Sequence, residues 1–144
     1  MLYECNDEKV PLEKEITYLE NYIDLKLLKD SRGMKVEVLI EKPATPLMIA
    51  PMLLIPFVEN AFKHGNIEDL EKGWIRIHLK TIDKKLIYTV ENSFAPVAST
   101  KDKVGGIGLT NVNRQLDLLY PNQHQLTIDS NNHIYKVHLE IDLV

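Results

Sequence analysis

The sequence predicts an α+β fold: a two-layer sandwich with helices on one face of an antiparallel or mixed sheet, and an amphipathic helix at its N-terminal end. Three observations predict it. Apolar residues recur at steps of three and four in some segments and at steps of two in others. Gly, Pro, Asn and Asp fall between those segments, where turns are needed. The segments follow one another as helix, strand, helix, strand, strand, loop, helix, strand, strand, an order that suits a sheet covered on one side.

The 144 residues are 44% hydrophobic, enough for one core, and no polar or Gly/Ser-rich stretch is long enough to act as an interdomain linker. A formal charge of −4 argues against a nucleic-acid partner, because a phosphate-tracking surface needs an excess of Lys and Arg. Cys5 is the sole cysteine, so neither an internal disulfide nor a multi-thiolate metal site is available, and a reducing, cytoplasmic setting fits. The apolar stretch from Leu47 to Val58 is interrupted by Pro51 and Pro56 and is too short to cross a bilayer. The N-terminus has neither a basic leader nor a signal-type apolar core, so any membrane anchor of a parent protein is expected elsewhere.

From Pro11 to about Asp30, Leu12, Ile16, Leu19, Ile23 and Leu27 form one stripe of an amphipathic helix, with Glu13 and Glu15 near its positive end. Tyr18, Tyr22 and Leu25 form a second row, which either packs on the same domain or meets another helical segment. Gly33 stops the helix, and residues 34–40 alternate as a half-buried strand. Pro43 and Pro46 bracket a turn, and residues 51–64 read as a mostly buried helix stopped by Gly65, with its polar residues at the C-terminal end. Residues 74–80 and 86–91 read as a hairpin about Asp83-Lys84-Lys85, with His78 outward. Residues 93–104 are polar and aperiodic, which predicts a mobile loop of the kind that often carries function. A glycine-led helix from 105 to about 120 follows, then a closing hairpin of 125–129 and 135–143. His124, His133 and His138 are expected at the surface.

Two motifs carry candidate chemistry. In Pro56-Phe57-Val58-Glu59-Asn60-Ala61-Phe62-Lys63-His64-Gly65, Asn60, Lys63 and His64 are spaced to share one helix face. An amide oxygen can hold hydrated magnesium, a lysine can neutralise phosphate, and an imidazole can donate to a phosphate or sugar oxygen. Alone, these residues are also ordinary at a solvated helix end. In Gly106-Ile107-Gly108-Leu109-Thr110-Asn111, glycines before a helix let the backbone approach a phosphate, and the helix N-terminus offers unpaired N–H donors. No Gly-Lys-Ser/Thr follows, so this is not a P-loop.

Together and in this order, the asparagine helix, hairpin, polar loop and glycine-led helix resemble the GHKL (Bergerat) ATP-binding fold of gyrase B, heat-shock chaperones, MutL and histidine kinases. Within that group the chain resembles the LytS-type sensor histidine kinases. Val10 to Glu15 with Tyr22 is similar to the end of their phosphoacceptor region, 56–65 to their N box, and 106–111 with Arg114, Leu116 and Tyr120 to their second glycine box. The resemblance implies that residues 1–32 end a dimerisation and phosphoacceptor region and that 33–144 form the catalytic domain. It implies ATP and Mg2+ as cofactors, with Asn60 as the magnesium ligand and Lys63 and His64 near the phosphates or ribose. Gly106 and Gly108 would shape the lid hinge and phosphate contact, with Leu109, Asn111 and Arg114 beside the nucleotide. Glu59 is a candidate general base, although it lies about 100° around the helix from Asn60.

Asn92 stands where commoner histidine kinases carry an aspartate that accepts from the adenine amine, and the glycines that follow that aspartate are missing from Glu91-Asn92-Ser93-Phe94-Ala95-Pro96. An asparagine can still pair with an adenine edge, without the charge assistance. No segment similar to the Pro-His-Phe-Leu-Phe-Asn phosphoacceptor motif occurs in the chain. The implied activity is therefore transfer of the ATP γ-phosphate to a histidine on upstream helices, for relay to a response regulator, within a homodimeric and membrane-anchored parent kinase. The alternative is a pseudo-kinase or regulatory protein-binding module with weak or no ATP binding. A hydrolytic ATPase of the gyrase kind is disfavoured, since Pro56 stands where its glutamate is expected.

Overall fold

The computed structural model describes residues 9–29, 35–64, 73–93, 106–131 and 133–143. A two-residue strand β1 (Val10–Pro11) runs directly into helix α1 (Leu12–Lys29). Strand β2 (Lys35–Ile40), the short β3 (Met48–Ile49) and helix α2 (Ile55–His64) follow. Then come β4 (Trp74–Ile82), β5 (Lys85–Ser93), helix α3 (Gly106–Leu119), β6 (His124–Asn131) and β7 (Ile134–Asp142).

Five strands form one mixed sheet in the order β2-β4-β5-β7-β6. Only β2 and β4 pair in parallel, Lys35 opposite Trp74 through Ile40 opposite Leu79, and the crossover this requires carries α2. Both predicted hairpins form with two-residue turns. Ile82 pairs Lys85 across Asp83-Lys84, and Asn131 pairs Ile134 across Asn132-His133. Asp83 and His133 take left-handed φ values of 57° and 65°, residue types that tolerate that region better than most. Along β4, β5 and β7 the alternation divides the sheet cleanly. Ile75, Ile77, Leu79, Leu86, Tyr88, Val90, Tyr135, Val137, Leu139 and Ile141 are buried beneath the helices.

The helices lie on that inner face. Leu12, Ile16, Leu19 and Ile23 of α1 are fully or almost fully buried and join the common core. Of the second row, Tyr22 packs edge-on against Phe62 with ring centroids 6.4 Å apart, while Tyr18 and Leu25 are exposed. Pro11 sits just ahead of α1 rather than inside its first turn, because it pairs with Met48 in the unforeseen β1–β3 ladder. The second helix also begins later than its apolar run suggests. Residues 51–54 form a turn in which Met52 takes φ 66°, and α2 opens at Ile55 with Pro56 in its first turn, where a missing N–H costs nothing. The Met52 N–H donates to Glu15 Oε1 at 3.0 Å, so a charge-assisted bond supports that unusual backbone. The Ala50 N–H donates to Tyr120 Oη at 2.9 Å, tying the same turn to the end of α3.

His78 and His138 lie on the outer side, as expected. His124 does not behave as a surface residue: its side chain is 11% exposed, Nδ1 lies 2.8 Å from the Tyr120 carbonyl and Nε2 lies 3.4 Å from Asp117. It adds a second contact to a carbonyl just past α3 that already accepts from the Gln123 N–H at 3.0 Å, a use the sequence pattern did not reveal. Among the described residues no helix is long and apolar enough to cross a membrane. The predicted loop and helix stop lie outside the described residues, at 94–105 and Gly65, as do Cys5 and Gly33.

Candidate nucleotide site

The site is built from α2, the inner end of β5 and the start of α3. Helix α2 is anchored by its apolar face. Phe57 meets Tyr88 edge-on with centroids 5.5 Å apart, and Tyr88 Oη donates to the Leu54 carbonyl at 2.8 Å just before the helix begins. Burial pushes the Tyr88 phenol well above its ordinary value, so it remains a donor. Three residues on from Phe57, Asn60 shares the buried side of the helix and is 9% exposed. Glu59 and Lys63 are exposed. The Tyr22 phenol is raised first by burial and then by the charge of Glu59, so that carboxylate lies within electrostatic reach of α1. His64 ends α2, and its side chain lies outside the described residues.

On the sheet, Asn92 continues the inner row of Leu86, Tyr88 and Val90 and is 1% exposed. Its Nδ2 donates to the Ser93 carbonyl at 2.9 Å, which fixes the amide and leaves Oδ1 in the acceptor role. Ser93 is itself occupied in holding the sheet end, with its Oγ accepting from the Trp74 N–H at 3.0 Å.

Four buried polar residues are found among the described residues: Glu15, Asn60, Asn92 and Ser93. Glu15 supports the Met52 turn and Ser93 joins β4 to β5, so both have structural duties. The other two are the amides that sequence reasoning selected, and both lie on the side where α2 covers the sheet. A buried amide is costly unless something uses it, which makes this pair the centre of the site.

Helix α3 opens at Gly106, so its backbone begins with Gly106-Ile107-Gly108. Leu109 is 3% exposed and belongs to the core with Val112 and Leu116, whereas Asn111 and Arg114 are exposed on the opposite side. No group of three or more His, Cys, Asp or Glu able to hold a metal occurs among the described residues. A magnesium ion here would rely on an amide oxygen and on its own waters and phosphates.

No protein-family model matches the chain. The sensor protein LytS of Oceanobacillus iheyensis is 24% identical over 139 residues, covering 88% of this chain and 24% of that protein. The catalytic domain of histidine kinase ThkA superposes with a TM-score of 0.63 at 17% identity, over 94% of this chain and 96% of that one. The chain is thus similar in sequence to a LytS sensor protein and shares its fold with a histidine kinase catalytic domain. The full-length histidine kinase ShkA, solved in complex with AMPPNP, superposes with a TM-score of 0.64 at 14% identity over 95% of this chain and 31% of its own. The chain spans about a quarter or less of the length of the curated relatives it matches.

One residue of the inner row escaped sequence reasoning. Tyr135 stands opposite Asn92 in the β5–β7 register and is 3% exposed, and its Oη is buried without a hydrogen-bond partner among the described residues. In the sequence it is one more apolar position of an alternating strand. Only the missing partner sets it apart.

Proposed function

We propose that this chain binds ATP with Mg2+ on the α2 side of the sheet and serves as the catalytic part of a sensor histidine kinase. In this reading residues 1–32 close the dimerisation region and 33–144 hold the nucleotide. The observation that carries the proposal is the pair of buried amides, Asn60 and Asn92, on the covered face of a fold shared with histidine kinase catalytic domains.

Each residue then has a chemical role. Asn60 offers a neutral, hard oxygen to Mg2+, which retains most of its waters and takes phosphate oxygens as further ligands. Lys63 and His64, three and four residues on from Asn60, neutralise and donate to the phosphates or ribose. Asn92 Oδ1 accepts from the adenine amine. Gly106 and Gly108 let the start of α3 approach the phosphates, where its unpaired N–H groups favour an anion. Leu109 packs that helix end on the core, and Asn111 and Arg114 flank the nucleotide. Glu59 is the carboxylate available as a general base. Catalysis in such a site is positioning and charge neutralisation, with the γ-phosphate passed to a histidine on upstream helices of the parent chain. A response regulator then takes the phosphoryl group, and dimerisation and membrane attachment belong to the parent protein.

Titration calorimetry of the 144-residue chain with ATP and Mg2+ tests this reading against Asn60→Ala and Asn60→Asp. The proposal expects magnesium-dependent binding by the unsubstituted chain and its loss in both variants. Equal affinity in all three proteins, or no binding by the unsubstituted chain at millimolar nucleotide, would overturn it, the second result pointing to a pseudo-kinase or protein-binding role.

A further inference from the structure

Three tyrosines of the core can be compared by what their hydroxyls do. Tyr88 Oη donates to the Leu54 carbonyl, and Tyr120 Oη accepts from the Ala50 N–H. Tyr135 Oη is buried and meets no partner among the described residues. Leaving a hydroxyl buried and unmatched costs roughly 1–3 kcal/mol, and a phenylalanine would fill the same volume without that cost. Tyr135 is also directly opposite Asn92, and residues paired in this way project to the same side with their Cβ atoms about 5 Å apart. On one side the row continues through Ile75 and Val36, which carry no polar group, and on the other it ends at Ser130 of β6, which is exposed.

We infer that the Tyr135 hydroxyl is a base-reading group that works together with Asn92 and is satisfied when adenine enters the site. The inference rests on the nucleotide reading above and adds a specificity determinant to it. Adenine presents a donor amine and several acceptor ring nitrogens on one flat heterocycle. Asn92 gives one of its two Nδ2 N–H groups to the Ser93 carbonyl, an orientation that presents Oδ1 as an acceptor to the amine. A phenol reaches further from the strand than an amide, so Tyr135 addresses a different atom of the base, donating its proton to a ring nitrogen. Burial raises the Tyr135 phenol above its ordinary value, so it is protonated and able to donate throughout the neutral range. Guanine places a carbonyl oxygen where adenine has its amine, and that oxygen would face the Asn92 acceptor. The pair therefore selects adenine over guanine.

The deciding variant is Tyr135→Phe, which removes the hydroxyl and leaves the ring. Calorimetry with ATP and with GTP, each with Mg2+, should show ATP affinity falling roughly three- to tenfold, the worth of one neutral hydrogen bond, with GTP binding unchanged. The melting temperature of the nucleotide-free variant should equal or exceed that of the parent chain, because no bond within the fold is lost. Unchanged ATP affinity in Tyr135→Phe, with Asn60→Ala still abolishing binding, overturns the inference and leaves the nucleotide reading standing. A fall of several degrees in the nucleotide-free melting temperature also overturns it, since the hydroxyl would then serve the fold. Absence of ATP binding by the unsubstituted chain overturns both.

Discussion

Two neighbouring rows cross the sheet one residue out of phase, and they do opposite things. The outer row runs Glu37, Arg76, Glu91, Lys136, charges of alternating sign that face each other across β2, β4, β5 and β7. Arg76 Nη1 lies 3.1 Å from Glu91 Oε1, Arg76 Nε lies 3.6 Å from Glu37 Oε2 and Lys136 Nζ lies 3.8 Å from Glu91 Oε2. The inner row runs Ile75, Asn92, Tyr135, uncharged and sealed beneath the helices. Charge is cheap where water solvates it, and the outer row accordingly adds little beyond strand register. Polar groups in the inner row are costly to bury, so two of them side by side call for a use. The comparison favours the row that carries no charge as the place for the proposed chemistry.

That contrast can be broken from either side. The largest effect on stability is expected from Phe57→Ala, which removes the ring that seats α2 on Tyr88 and should cost about 3–5 kcal/mol in urea unfolding. A loss below about 1 kcal/mol would mean that α2 is held by something else. Next is Tyr88→Phe, the partnered counterpart of Tyr135→Phe. It leaves the buried Leu54 carbonyl with only the longer 3.3 Å bond from the Phe57 N–H and should cost about 0.5–1.5 kcal/mol. Equal stability of the two Tyr→Phe variants would erase the distinction drawn between them.

On the outer row, Arg76→Ala should cost less than about 1 kcal/mol, and less still at high salt, because its side chain and that of Glu37 are about half exposed. The smallest effect concerns pH. The Glu140 carboxyl is held below its usual value of 4.5, first by its hydrogen bond from His138 and further by the nearby Lys85. A depressed carboxyl stabilises the fold above its unfolded value, and that contribution is lost as pH falls through the lower folded value. Glu140→Gln should therefore flatten the acid limb of the stability curve slightly below pH 4.5 and leave neutral stability almost unchanged.

Much of this architecture was legible in the sequence, and the reasons for what was not are physical. The alternation in residues 74–80 and 135–143 gave both the strands and their buried sides, because one sheet face is dry and the other wet. The motifs singled out Asn60 and Asn92, and the structure buries both. The start of α2 was hidden because apolar residues continue through the Met52 turn, which is supported by a bond from the Met52 N–H to Glu15, far away in the chain. The parallel β2–β4 pairing and the β1–β3 ladder are non-local and leave no local pattern. Tyr135 was indistinguishable from its apolar neighbours, since an unmatched hydroxyl is visible only once its surroundings are known.

A crystal structure of the chain with a non-hydrolysable ATP analogue and Mg2+ tests the central claim most directly. The account predicts the metal at Asn60, the adenine amine at Asn92 Oδ1 and a ring nitrogen within hydrogen-bond distance of Tyr135 Oη. A nucleotide bound on the charged outer face, or a base that leaves both Asn92 and Tyr135 untouched, would contradict it.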